Sequence, residues 1–107
     1  MKILVINGSP RGEKSVTLKI TRAFLEGMEA SAEVIDTMQV NVKPCLGCLS
    51  CWWKTPGVCA QKDDMADILK RLLESDLVIW SVPLYCYNVP SNCKALYDRL
   101  IPLGTPA

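Results

Sequence analysis

"ILVINGSPRGEKSVT", residues 3–17, is the stretch on which the reading of the fold turns. Ile3 to Ile6 form a short apolar run without polar alternation, the pattern of a strand buried on both faces, as in a parallel sheet. Residues 7–15, "NGSPRGEKS", are a loop by composition, rich in Gly, Ser and Pro. A helix is expected from about Ser15 to Glu29. Val16, Ile20, Ala23, Phe24, Gly27 and Met28 recur at helical spacing and predict a wide core-facing stripe, with a subunit contact as the alternative. Leu18 and Leu25 make a second, weaker stripe.

Working outward, "AEVIDTM" (32–38) reads as a second strand, and its Glu33 and Asp36 suit a sheet edge. "KDDMADILKRLLESD" (62–76) predicts a helix capped by Asp63 or Asp64, with Met65, Ile68, Leu69, Leu72 and Leu73 inward. "LVIWSV" (77–82) is a third apolar strand and "PLYCYNVPS" (83–91) a loop. A last helix is expected from about Asn92 to Ile101, with Ser91 as its cap and Pro102 as its stop. The order β-α-β-loop-α-β-α implies parallel strands joined by right-handed crossovers. The two most apolar strands belong together and the polar second strand beside the first, giving an order 2-1-3.

Composition narrows the chemistry. The chain has 107 residues, enough for one domain, and half of them are hydrophobic. A net charge of +1 argues against nucleic acid as a partner. The absence of histidine removes the commonest general base and zinc ligand. The first apolar run is too short for a signal peptide, and no stretch is long enough to span a membrane. A cytoplasmic location is therefore expected, where six cysteines point to metal or redox use rather than a disulfide scaffold.

With strand order 2-1-3, ligands belong at the carboxyl ends of strands one and three, where the chain switches direction. The first loop there offers Gly8 and Gly12 for tight turns, hydroxyls from Ser9, Ser15 and Thr17, and the charged fork of Arg11. The helix behind it adds free N–H groups and a positive dipole end. This suits an anion, and an ordinary Ser/Pro/Gly turn is the plainer alternative. The second loop, with Pro83, Leu84, Tyr85 and Tyr87, suits a flat ring system or simple packing.

Three segments, "ILVINGSPRGEKSVTLK", "PCLGCLSCWWKTPGVCAQKDDM" and "VIWSVPLYCYNVPSNCKALYDRL", resemble the NADPH-dependent FMN reductase and iron–sulfur flavoprotein family, in its order and spacing. The resemblance implies a flavodoxin-like α/β fold, FMN as cofactor and NAD(P)H-dependent oxidoreductase activity toward a small-molecule or protein electron acceptor. It puts the FMN phosphate on Ser9, Arg11, Ser15, Val16 and Thr17, and the isoalloxazine ring along Pro83, Leu84, Tyr85, Cys86, Tyr87 and Asn88. Val16 stands where family members often carry Asn, which leaves backbone N–H groups to hold the phosphate there. Lys94, Asp98 and Arg99 match a K-x-x-x-D-R motif and are read as structural or interface residues. No protein residue is assigned a catalytic role, because hydride transfer to a flavin needs no protein base. The rival functional readings are an electron carrier without turnover of its own and a folded fragment of little activity.

The remaining motif is Cys45-x2-Cys48-x2-Cys51-x7-Cys59. Thiolates are soft ligands, and the compact spacing lets three sulfurs converge from one loop while the fourth returns after a turn. A [4Fe–4S] cluster on Cys45, Cys48, Cys51 and Cys59 is one reading. Reduced structural thiols or a labile disulfide are a second, and zinc is a third. Iron–sulfur flavoproteins resemble this loop, although their fourth cysteine usually comes sooner. Because the loop follows strand two, it is expected at the same sheet edge as the flavin loops. Trp52 and Trp53 would shield a cluster, cover the flavin or make a subunit contact. Cys86 and Cys93 read as small apolar residues.

A flavodoxin-like sheet runs 2-1-3-4-5, whereas residues 1–107 supply about three strands, a single incomplete FMN-binding domain. The all-apolar third strand expects a neighbour on each side. Either the chain is the N-terminal part of a longer reductase, or another copy completes the sheet through the third-strand edge, making a homo-oligomer.

Overall fold

In the computed structural model, which describes residues 1–104, β1 (Ile3–Asn7) is buried along its whole length. It lies between β2 (Glu33–Asp36) and β3 (Leu77–Ser81), both parallel to it, in the order β2-β1-β3. The expected α/β topology is therefore present. Alternate residues of β1 serve opposite layers, as a pleated strand requires. Ile3 and Val5 meet α1 (Val16–Gly27) through Leu18 and Leu25. Leu4 and Ile6 meet the layer containing α3 (Met65–Glu74) and α4 (Ser91–Asp98), through Met65, Ile68, Leu69 and Leu96. A short helix α2 (Ser50–Trp53) sits within the cysteine loop, and Ile101–Gly104 form a 3-10 turn.

The inward face of α1 differs from the expected one. Val16, Ile20, Phe24 and Met28 are exposed, and the buried residues are Leu18, Thr21 and Leu25. Thr21 explains the misreading, since a polar residue occupies the middle of the buried stripe. Its hydroxyl lies 2.9 Å from the Ser81 hydroxyl and 3.1 Å from the Thr17 carbonyl, so burial leaves it satisfied. Leu73 of α3 also faces outward, while Met65, Ile68 and Leu69 are buried as expected.

β3 is apolar yet only half-buried from Leu77 to Trp80. Its outer edge has no strand beside it among the described residues. An edge strand lacks the side chains a second neighbour would contribute, so its own stay partly open.

Candidate functional site

The turn after β1 is knitted together before any ligand is considered. Asn7 is buried, and its side chain works in both directions: Nδ2 donates to the Gly12 carbonyl at 3.1 Å, and Oδ1 accepts from Ser9 N–H at 3.3 Å. Ser9 Oγ accepts from Arg11 N–H at 3.2 Å. Ser15 caps α1, its Oγ accepting from Leu18 N–H at 3.2 Å. The leading N–H groups of α1, on Val16 and Thr17, have no acceptor within the helix and point at the turn with the positive end of the helix dipole. Arg11 is exposed and in no ion pair among the described residues.

This turn is joined directly to the segment after β3. Gly8 N–H donates to the Ser81 carbonyl at 3.0 Å. A Cβ on Gly8 would lie 2.6 Å from Val82 Cγ1 and 2.8 Å from Cys93 Cβ and Sγ, so only glycine allows this approach. Cys93 is buried, as expected of a small apolar residue, and burial pushes its thiol pKa up. The two loops predicted to share one sheet edge thus share it.

Beyond Val82 the second loop turns sharply. Tyr85 and Asn88 exchange backbone hydrogen bonds of 2.7 and 3.0 Å, with Cys86 and Tyr87 between them at φ +49° and +63°. Two consecutive left-handed residues make the tight hairpin geometry that glycine or asparagine normally supplies. Neither residue here is Gly or Asn, and each such conformation costs on the order of 1–3 kcal/mol. Leu84, Tyr85 and Tyr87 are exposed, Tyr87 completely. Cys86 is also exposed, which corrects its reading as a simple packing residue. Strain and exposed aromatic surface coincide at one turn.

The cysteine loop is closed at its neck. Asn41 and Asp64 exchange bonds, Asn41 N–H to Asp64 Oδ2 at 2.6 Å and Asp64 N–H to the Asn41 carbonyl at 3.0 Å. Lys43 N–H donates to Asp63 Oδ2 at 3.0 Å, and Gln61 Nε2 to the Pro44 carbonyl at 2.9 Å. Asp63 also accepts from Met65 N–H at the start of α3. Behind the neck lies a buried ion pair: Arg99 grips Asp63 with two bonds of 2.8 and 2.9 Å, and both side chains are 1% exposed. The same guanidinium donates to the Lys43 carbonyl at 2.8 Å. The Arg99 fork holds the Asp63 carboxyl well below the ordinary 3.8, at about 2, against the opposing effect of burial.

Above this neck, Cys45, Cys48, Cys51 and Cys59 line one pocket, walled by Leu46, Leu49, Ile101, Pro102 and Arg99. Cys45, Cys48 and Cys59 are free thiols. Burial raises the Cys51 pKa, and the charges of Cys59, Cys45 and Cys48 add to the rise. Cys48 is exposed and its pKa is lowered by hydrogen bonding to Ser50. Among the described residues, no group of three or more His, Cys, Asp or Glu side chains is gathered to hold a metal ion. Trp52 is half-buried, its indole donating to the Ile101 carbonyl at 3.1 Å, while Trp53 is exposed and packs edge-on against it.

The cysteine pocket does not adjoin the flavin loops as expected. None of residues 9–17 or 83–88 lines it. Thr37, at the end of β2, bonds to Asn92 at the start of α4, whereas Lys43 bonds to Arg99 just past its end. The thiol pocket meets the end of α4 at Asp98 and Arg99, whereas Asn88 and Val89 of the aromatic loop share a pocket with Lys94 and Tyr97 of the same helix.

A family model described as NADPH-dependent FMN reductase matches residues 1–105. The chain belongs to this family. An iron–sulfur flavoprotein of Methanocaldococcus jannaschii is 38% identical over 96% of this chain and 53% of its own length. One from Archaeoglobus fulgidus is 40% identical over 97% of this chain and 47% of its own. An FMN-dependent NADH:quinone oxidoreductase of Pseudomonas syringae is 29% identical over 97% of this chain and 56% of its own. The chain thus spans about half the length of these curated relatives.

Membership in the FMN reductase family fits the β1 turn, where a close-packed glycine, a helix N-terminus and an uncommitted arginine converge. Sequence reasoning named Asp63 only as a candidate helix cap, which its bond from Met65 N–H fits, and missed Asn7, because one asparagine at the end of a strand carries no distinctive spacing. The Asp63–Arg99 pairing becomes visible only when residues 36 positions apart are brought together. Lys94 and Asp98 of the same motif pair with each other on α4, a structural role as expected.

Proposed function

We propose that this chain forms the FMN-binding part of an NAD(P)H-dependent oxidoreductase. The observation that carries this reading is the junction at Gly8, which brings the Gly/Ser-rich turn after β1 and an aromatic loop to one sheet edge. Ser9, Arg11, Ser15, Val16 and Thr17 hold the phosphate. Pro83, Leu84, Tyr85, Cys86, Tyr87 and Asn88 orient the ring. Bound FMN supplies hydride acceptance from reduced nicotinamide and electron delivery to a small-molecule or protein acceptor. The chain's residues bind and orient, and none is required as a proton donor. A reducing compartment such as the cytoplasm suits a chain whose four pocket cysteines are read as ligands rather than as a disulfide scaffold, and no helix among the described residues is long and apolar enough to cross a membrane.

The four pocket cysteines are read as ligands of a [4Fe–4S] cluster. The donor chemistry fits: four soft thiols face one mostly apolar pocket, and a buried guanidinium offsets the negative charge of four thiolates. When bound, a cluster would supply a one-electron relay in the same chain as the flavin. The open outer edge of β3 is read as the seat of a second copy.

FMN titration followed by flavin fluorescence tests the central reading. Arg11→Ala is expected to weaken FMN by about tenfold or more, as loss of a charge-assisted bond to phosphate implies, and to leave riboflavin binding unchanged. Absence of FMN binding, or equal loss of riboflavin, overturns it. NAD(P)H turnover then separates an enzyme from a carrier, and solution mass tests the β3 pairing.

A further inference from the structure

Arg99 carries more polar capacity than the Asp63 pair uses. Its Nη1 donates to Asp63 and to the Lys43 carbonyl, and its Nη2 to Asp63. Its Nε is buried and has no hydrogen-bond partner among the described residues. Orphaned buried N–H groups are rare, and one at the wall of a pocket points to an acceptor that belongs there. Arg99 lines the same pocket as the four cysteines. Cys59 lines it too, and stands four residues before Asp63, the partner that fixes the guanidinium. The guanidinium cannot turn away, because three bonds already fix its plane.

We infer that Arg99 is the positioning residue of the four-cysteine site, its Nε–H reserved for the sulfur of Cys59 and locked in that direction by Asp63 and the Lys43 carbonyl. This rests on the cluster reading above and deepens it. Cys59 is the ligand most remote in sequence, seven residues beyond Cys51, and has least help from the compact spacing of the others. The neck supplies that help from outside the loop. A fixed N–H donor and a buried positive charge against one ligand sulfur also favour the reduced, more negative state of a cluster, because hydrogen bonds to sulfur set its potential.

The test is anaerobic reconstitution of the full chain with ferrous iron and sulfide, comparing wild type with Arg99→Lys and Arg99→Gln. Wild type is expected to take up about four irons and four sulfides. In both variants iron affinity under chelator challenge should fall roughly ten- to a hundredfold. The cluster's midpoint potential should shift to lower values, further in Arg99→Gln than in Arg99→Lys, in protein whose circular dichroism is unchanged. A merely structural arginine would not move the potential, so variants that hold their cluster at the wild-type potential overturn the inference while leaving the cluster reading intact. Wild-type protein that takes up no iron and sulfide overturns the cluster reading and this inference with it. Should both variants fail to fold, NMR of ¹⁵N-arginine-labelled wild type decides. A paramagnetically shifted, slowly exchanging Arg99 Nε–H in the cluster-loaded protein supports the contact, and an unshifted one overturns it.

Discussion

The turn after β1 and the loop after β2 solve opposite problems. The β1 turn organises itself: Asn7, Ser9 and Ser15 bond to backbone groups within a few residues, and Gly8 lets it sit against β3. The cysteine loop is organised from outside. Backbone bonds from Leu49 to Val58 shape the short helix inside it, but its closure depends on a neck whose buried pair joins residues far apart in sequence. Local hydrogen bonds pre-form the proposed phosphate site at little entropic cost. A remote clamp leaves the interior of a loop free for a ligand that arrives later.

The sharpest way to break the contrast is Asp63→Asn. Removing one partner of a buried ion pair costs about 3–5 kcal/mol, because the remaining charge stays buried and uncompensated. Chemical denaturation should show that loss, and hydrogen exchange should show residues 41–64 opening while the β1 turn keeps its protection. The same pair gives a pH signature. The folded-state pKa of Asp63 is depressed from 3.8 to about 2, so its contribution is complete above the unfolded value and is lost as pH falls through the folded one. Acid unfolding between about pH 4 and 2 should therefore be blunted in Asp63→Asn.

Gly8→Ala tests the other side. The added methyl meets Val82 and Cys93 at distances under 3 Å, and overpacking of this kind costs about 1–3 kcal/mol. FMN affinity should fall with it, whereas the cysteine loop's exchange pattern should be preserved. Ser15→Ala removes the α1 cap, worth about 1 kcal/mol, with weaker FMN binding measured by fluorescence titration. The smallest effect has the opposite sign. Tyr87→Gly relieves a left-handed backbone at an exposed position and should stabilise the chain by up to about 1 kcal/mol, while flavin affinity declines for want of the aromatic surface.

Much of this was legible without coordinates. The apolar runs at residues 3–6 and 77–82, and the Gly/Ser-rich turn, predicted a parallel sheet, its 2-1-3 order and the meeting of two loops. α1 was misread because Thr21 hides a buried position behind a polar name, while Val16, Ile20 and Phe24 present an apolar stripe to solvent. Periodicity measures which residues share a face, not which face meets the sheet. That choice was made here by the Thr21 contact with Ser81 and by Leu18 and Leu25 packing on Ile3 and Val5.

The sequence by itself determined the local events: where strands begin, where the chain turns, where α1 is capped, and that four cysteines share one loop. Each follows from residues within a few positions of one another, whose propensities and short-range bonds act before the chain is compact. Packing of distant segments is what sets Gly8 against Cys93 and closes the neck by joining Arg99 to Asp63. Those are contacts between distant residues, and their strength comes from burial, which no stretch of sequence possesses until the layers have packed.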